Sequence, residues 1–196
     1  MSDLKNLPDV DAVVPLEELD AAVADVLVPH AEQGAIKALG AVSDLSDQEP
    51  IYAGAAVFLA TAAVMRDGPT WRAGTRILAA HLLATALRGV VKQLVDRTRP
   101  EAAARRGEYV FCEGEHKEGD FNSFPSGHTA GAVAVARAVS RAYPHAQLPA
   151  VGLAITAGTA QVIRSSHYIS DVVAGAVIGW AAETMVDSLI RRAQRV

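Results

Sequence analysis

The chain has 196 residues, 51% hydrophobic and 20% charged, with a net charge of −4 and a mean hydropathy of only +0.19. That length suits one domain around one core. The negative balance, with cations not clustered among aromatics, excludes nucleic acid as a partner, and the lone Cys112 excludes an intrachain disulfide and reads as a free surface thiol.

The charge is segregated along the chain. Residues 1–50 hold 11 of the 22 acids against Lys5 and Lys37, about −9, which leaves the remainder at about +5. The start, Met1 to Asp11, is acidic and has no apolar core of the kind a cleavable leader needs, so none is expected. Over 12–49, Val13, Leu16, Leu19, Val23, Val26 and Leu27 approximate helical spacing and predict one or two amphipathic helices, interrupted at Pro29 and Gly34. Asp25, His30, Glu32 and Lys37 make 21–45 a poor membrane span, so these helices are expected at the membrane interface.

From residue 51 the character changes. Ile51–Met65 is apolar without a charge, and Gly74–Val91 is apolar except for Arg76, His81 and Arg88. His128–Tyr143, Leu148–Ile163 and Val172–Ile190 follow. A span needs roughly 20 apolar residues for a ~30 Å hydrocarbon layer, so flanking residues must help the shorter ones. The pattern predicts an all-α fold: a polytopic membrane bundle of five or six helices over 51–196, preceded by the amphipathic segment 1–50. A soluble Ala-rich bundle is the alternative. Gly175 and Gly179 form a small-xxx-small pair suited to close helix packing. The short Ala/Gly-rich spans also suit packing between protomers, a homo-oligomer. The polar segment 92–127 must lie outside the lipid, and no strand pattern of useful length is present.

Three polar clusters abut these apolar runs. Lys92 and Arg99 lie seven apart, about two helical turns, so both can share a face near a helix end that Pro100 terminates. A planar guanidinium fork and a compact ammonium suit phosphate oxygens. In Pro125-Ser126-Gly127-His128, Ser126 is a good N-cap, Gly127 admits a ligand to the backbone, and the free amides of the helix start attract an anion. His128 stands where it could protonate a leaving oxygen. His167 and Asp171 lie four apart, the spacing of one helix face, so the carboxylate can fix the imidazole tautomer. Arg164 is close enough in sequence to neutralise phosphoryl oxygens. Read singly, each cluster also fits a structural role: snorkelling cations, a capped helix, an interfacial histidine. Taken together, chain parity brings all three to one membrane face. Arg66, Arg72, Arg141, Arg191, Arg192 and Arg195 fall on the opposite face and favour an outward-facing site; that places the acidic residues 1–50 outside too unless 21–45 cross, so a cytoplasmic-facing site is the alternative.

These residues resemble the motifs of the type 2 phosphatidic acid phosphatase superfamily: Lys-x6-Arg-Pro, Pro-Ser-Gly-His and Ser-Arg-x5-His-x3-Asp. The first two match in full and the third in its His-x3-Asp half, across residues 92–171. The resemblance implies that Lys92 and Arg99 bind phosphate, with Ser126 and Gly127 as further donors. It implies His128 as general acid, His167 as nucleophile through a phosphohistidine, and Asp171 as its orienting partner, with no metal and no cofactor. Where the family carries arginine six residues before the histidine, this chain has Gln161, preceded by Ala160. Arg164, about one turn later, is expected to swing into its place.

The expected function is therefore an integral, multi-pass cell-membrane lipid phosphatase that hydrolyses a phosphomonoester or diphosphate on a phosphatidyl or polyprenyl lipid. A vanadate-holding haloperoxidase, a non-catalytic lipid-phosphate binder and a phosphotransferase are the competing functions.

Overall fold

The computed structural model describes residues 14–31, 33, 34, 36, 38, 40, 48–114 and 119–195. Val13, Glu32, Lys37, the stretch 41–47 of the expected second amphipathic helix, and Glu115, Lys117 and Glu118 of the polar segment lie outside the described residues. Helix α1 covers Val14–Leu27 and runs into a 3-10 turn at Val28–His30. Helix α2 (Gln48–Met65) pairs antiparallel with α3 (Gly68–Leu94). Asp67 caps α3 by accepting from the Thr70 amide at 3.3 Å.

Past α3 the chain makes two three-residue strands that the sequence pattern did not signal. Strand β1 (Val95–Arg97) pairs antiparallel with β2 (Phe111–Glu113), with α4 (Pro100–Arg106) between them. Proline at its first turn starts α4, and Gly107, in the left-handed region at φ 68°, ends it. Three helices complete the bundle: α5 (Gly127–Ala142), α6 (Gln147–Ile163) and α7 (Ile169–Ala193). Helices α2, α3, α5, α6 and α7 are the five of the expected bundle. The chain enters one end of it through α3, leaves through α5, returns through α6 and leaves through α7. The segments 95–126 and 164–168 therefore meet at that end.

The packing is that of a protein in lipid. Ala80, Ala84, Ala134, Ala138, Ala182 and Val186 form the buried centre, while Val57, Val64, Leu82, Leu148, Leu153, Ile155, Val177, Trp180 and Leu189 face outward. Large apolar side chains outside and alanines inside invert the soluble pattern, because lipid solvates leucine and small residues let backbones approach. That distribution decides against the soluble bundle. Gly175 and Gly179 show how close the approach is. A Cβ at Gly175 would lie 2.5 Å from the Ser126 carbonyl oxygen, and one at Gly179 would overlap that of Ala130. The pair thus seats α7 against the first turns of α5. Segments 68–94, 144–163 and 169–193 are long and apolar enough to cross a membrane, and 49–65 is a shorter apolar helix. At 1.5 Å per residue α5 is only about 24 Å long. It packs against α3, α6 and α7.

Helix α1 meets the bundle through a polar residue. Leu16, Leu19 and Val26 of the anticipated apolar stripe are exposed, and the residue turned inward is Asp20, 1% exposed. Asp20 is turned inward by the ion pair described next.

Candidate active site

Lys92 and Arg99 reach the site from different elements, which corrects the expectation that they share a helix face. Helix α3 stops at Leu94, the chain turns into β1, and Arg99 is the N-cap of α4, so Pro100 opens a helix rather than ending one. Pairing of β1 with β2 and the fixed φ of proline at a helix start set this path. The two cations still interact electrostatically, with Arg88 acting on both. The Arg99 guanidinium donates from Nε to the Gly119 carbonyl at 3.1 Å and from Nη1 to that of Ser166 at 3.3 Å. It thereby ties the loop before α5 to the loop before α7. Burial presses its pKa below the ordinary guanidinium value, and Arg88 adds to this against Asp171, Asp120 and Glu101.

Ser126 caps α5 as its identity suggests. It is fully buried, and its Oγ accepts from the Thr129 amide at 3.4 Å. Its own N–H donates to the Asp171 carbonyl at 3.0 Å, which pins the start of α5 to the start of α7. Gly127 is the first residue of α5 and half-buried His128 the second.

His167 does not sit on a helix with Asp171, as its spacing suggested. It precedes Tyr168, the N-cap of α7, while Asp171 lies in the first turn. The amides of Ser166 and His167 donate to the Gln161 carbonyl at 3.1 and 3.2 Å, folding the linker back onto the end of α6. This places His167 Nδ1 3.6 Å from Asp171 Oδ2. That gap is longer than a hydrogen bond, so the ring is aimed at the carboxylate without being closed onto it. Burial first, then Arg99 and Lys92, push the His167 pKa down to about 4 against the pull of Asp171. The imidazole is therefore neutral at pH 7. With Nδ1 directed at Asp171, Nε2 is left for chemistry.

Asp171 is held from several sides. Its Oδ2 accepts from Ser123 Oγ at 2.6 Å and from the Tyr168 amide at 2.9 Å, and its Oδ1 from Arg97 Nη1 at 2.7 Å. Arg97, 2% exposed, turns its other nitrogen to Asp20 Oδ2 of α1 at 2.8 Å. Its guanidinium lies 4.1 Å from the centre of the Tyr168 ring and 5.1 Å from that of Phe111. Ser170 Oγ also bonds Asp20. Burial opposes the charge of Arg97, but Asp171, Tyr109 and Asp20 outweigh it and hold its pKa above the ordinary value. Asp20, Arg97 and Asp171 are thus one buried acid–base–acid chain that ends at the His167 partner.

The sequence reading missed Arg97, Asp20 and Ser123. One signal was available for Asp20: an acid amid apolar helix positions. Arg97 stood unremarked beside Arg99, because nothing in its spacing separates a structural from a substrate-facing arginine. Arg164 is the C-cap of α6, and its Nη1 lies 3.3 Å from the Gly40 carbonyl. Its guanidinium is turned toward the N-terminal segment. Cys112 is an exposed thiol in no disulfide among the described residues. Among the described residues no three His, Cys, Asp or Glu side chains stand together as a metal site.

A sequence model of the PAP2 superfamily matches residues 73–194, a stretch that holds all three clusters. Lipid A 1-phosphatases of Rhizobium johnstonii and Rhizobium etli are each 31% identical over 93 residues, 47% of this chain. The matched stretch covers 38% and 40% of their lengths, so the likeness spans about two fifths of these relatives. Two crystal structures share the fold. A transmembrane PAP2-type phosphatidylglycerolphosphate phosphatase from Bacillus subtilis superposes with a TM-score of 0.69 at 18% identity, over 93% of this chain and 91% of that one. LpxE of Aquifex aeolicus superposes with a TM-score of 0.64 at 17% identity, over 94% and 98%.

Proposed function

This chain belongs to the PAP2 superfamily, and from that premise we propose that it is an integral-membrane lipid phosphatase, multi-pass in the cell membrane, working through a phosphohistidine on His167. The observation that carries the proposal is a buried imidazole, neutral at pH 7 and aimed at Asp171, among the cations Lys92 and Arg99. A helix that ends at the membrane boundary suits a phosphate borne on an acyl or isoprenoid tail. The curated relatives' names, lipid A 1-phosphatase, support a lipid phosphate as the substrate class.

Uncatalysed phosphomonoester hydrolysis is among the slowest reactions known, and its catalysis needs on the order of 20 kcal/mol or more of barrier lowering. Positioning, clustered cations and a two-step covalent path supply it here. Lys92, Arg99 and the amides at the head of α5 neutralise the phosphoryl oxygens. The Nε2 lone pair of His167 attacks phosphorus as the bond to the lipid oxygen breaks, and His128 donates its proton to that oxygen. Asp171, fixed by Arg97, Ser123 and the Tyr168 amide, balances the positive charge that develops on the ring. Water then attacks phosphorus, giving His128 a proton, and the P–N bond breaks to release inorganic phosphate and neutral His167.

The test is phosphate release from a panel of lipid phosphates in detergent micelles, with acid-quench trapping of the labile phosphoimidazole. Wild type should release phosphate, orthovanadate should inhibit it, and His167→Ala should lose roughly 10⁴-fold or more. Lipid-phosphate binding without any release would replace the catalytic reading with that of a binding protein.

A further inference from the structure

Arg88 has no place in the motifs above, yet it stands among them. It lies on α3 one turn before Lys92, the i,i+4 spacing that puts two side chains on one helix face. It acts electrostatically on Lys92 and on Arg99. It also explains a second observation at Gly127. A Cβ there would overlap Arg88 Nη1 and lie 3.0 Å from its Cζ, so the guanidinium occupies the space a side chain would fill. The tip of Arg88 therefore rests on the first residue of α5.

Such an arrangement is unfavourable on its own. Two like charges at i,i+4 repel, a third cation stands beside them, and the helix start adds a partial positive charge. Asp171 acts on both Lys92 and Arg99, and Asp120 and Glu101 act on Arg99 as well. Three cations that act on one another beside a helix start suit a multiply charged anion. Meanwhile Gln161, where the motif that this chain resembles has arginine, is buried and uncharged, and its carbonyl holds the Ser166 and His167 amides.

We propose that Arg88 is a phosphate-binding residue of this site, the third cation of the cradle with Lys92 and Arg99, supplying from α3 the charge that position 161 lacks. The ligand chemistry rests on the phosphatase reading. The absence of a side chain at Gly127 then has a physical reason, because it lets the guanidinium reach the α5 amides. Arg88 presents a planar fork that a lysine would not reproduce.

The experiment uses the full chain in detergent, with orthovanadate as the phosphate probe and thermal unfolding as a readout separate from turnover. Vanadate should raise the Tm of wild type, and Arg88→Gln should show less than half that rise. Its kcat/KM should fall on the order of 10²-fold, and Arg88→Lys should fall about tenfold. Gln161→Arg added to Arg88→Gln should regain much of the loss. An Arg88→Gln variant that keeps the full vanadate shift overturns the proposal, whatever its turnover, because Arg88 would then be structural. Should that variant fail to fold, Arg88→Lys with unchanged vanadate shift and unchanged kcat/KM overturns it instead. A wild type that vanadate does not stabilise overturns it as well. A wild type that vanadate stabilises through Arg88, yet that releases phosphate from no lipid, leaves Arg88 in place and sinks the phosphatase reading alone.

Discussion

Two arginine clusters occupy opposite ends of the bundle, and they differ in their company. Between Arg76 and Lys92 on α3 the chain rises about 24 Å. At the far end, Glu183 meets Arg141 at 2.7 Å and Arg137 at 3.3 Å, while Asp187 meets Arg76 at 2.7 Å, Arg191 at 2.8 Å and Arg141 at 3.3 Å. Four arginines there share two carboxylates of α7 and clamp α3, α5 and α7 together. At the near end, Arg88 rests on the head of α5 and acts on Lys92 and Arg99, while Asp171 is bonded to Arg97, Ser123 and the Tyr168 amide. The lesson is that the residue type does not assign the role. Cations matched to carboxylates within the fold hold helices together, whereas those beside His167 are, on the reading proposed above, set for an anion from outside. Arg97 belongs with the first kind although it lies in the site.

Arg97→Met tests that placement and should have the largest effect. It leaves Asp20 and Asp171 buried without their shared cation, at a cost of about 3–5 kcal/mol, read as a lower Tm in detergent with activity lost. Asp20→Asn should be milder in Tm while still lowering kcat, since Arg97 would then pull on Asp171 alone. An Arg97→Met protein with wild-type Tm would break the comparison.

Next in size is the contrast between Arg99→Gln and Arg76→Gln. Arg99→Gln should lower kcat/KM on the order of 10²-fold, the scale for removing one preorganised charge from a transition state. Arg76→Gln should lower Tm modestly, by about 0.5–1.5 kcal/mol of stability, because Arg141 and Arg191 remain on Asp187. Its kcat/KM should stay within about threefold of wild type, since it touches nothing at the site. Equal losses of turnover from both would erase the distinction between the two ends.

The remaining test is one of pH. His167 titrates near 4 when folded and near 6.5 when exposed. The unfolded chain therefore binds the extra proton first. The associated stability is fully present above about pH 6.5, and is lost as pH falls toward 4. His167→Gln should flatten that slope in a Tm-versus-pH series. In the wild type, His167 should leave the nucleophile competent from pH 7 down to about 5.

Some of this could be read directly from the chain. The five bundle helices were legible because apolar runs must satisfy their own backbone groups in lipid. The common end of the three clusters followed from parity. Lys92, Arg99, Ser126, His128, His167 and Asp171 stood out because phosphate chemistry needs those side-chain types. Their local geometry was less legible. The seven-position step from Lys92 to Arg99, measured as helix, gave a shared face, whereas the chain turns into β1. The four-position step from His167 to Asp171 did the same, whereas His167 precedes the helix. Spacing fixes a face only once the backbone between two residues is known.

The sequence by itself determined an apolar helical bundle with phosphate-type side chains at one end, because solvation and side-chain chemistry are local properties of residues. Only the tertiary structure decided which charges cancel. It joined Asp20 to Arg97 across 77 positions, laid Arg88 against Gly127 and turned Arg164 toward Gly40. A charge acts through distance and burial, and both are set by contacts far apart in the chain.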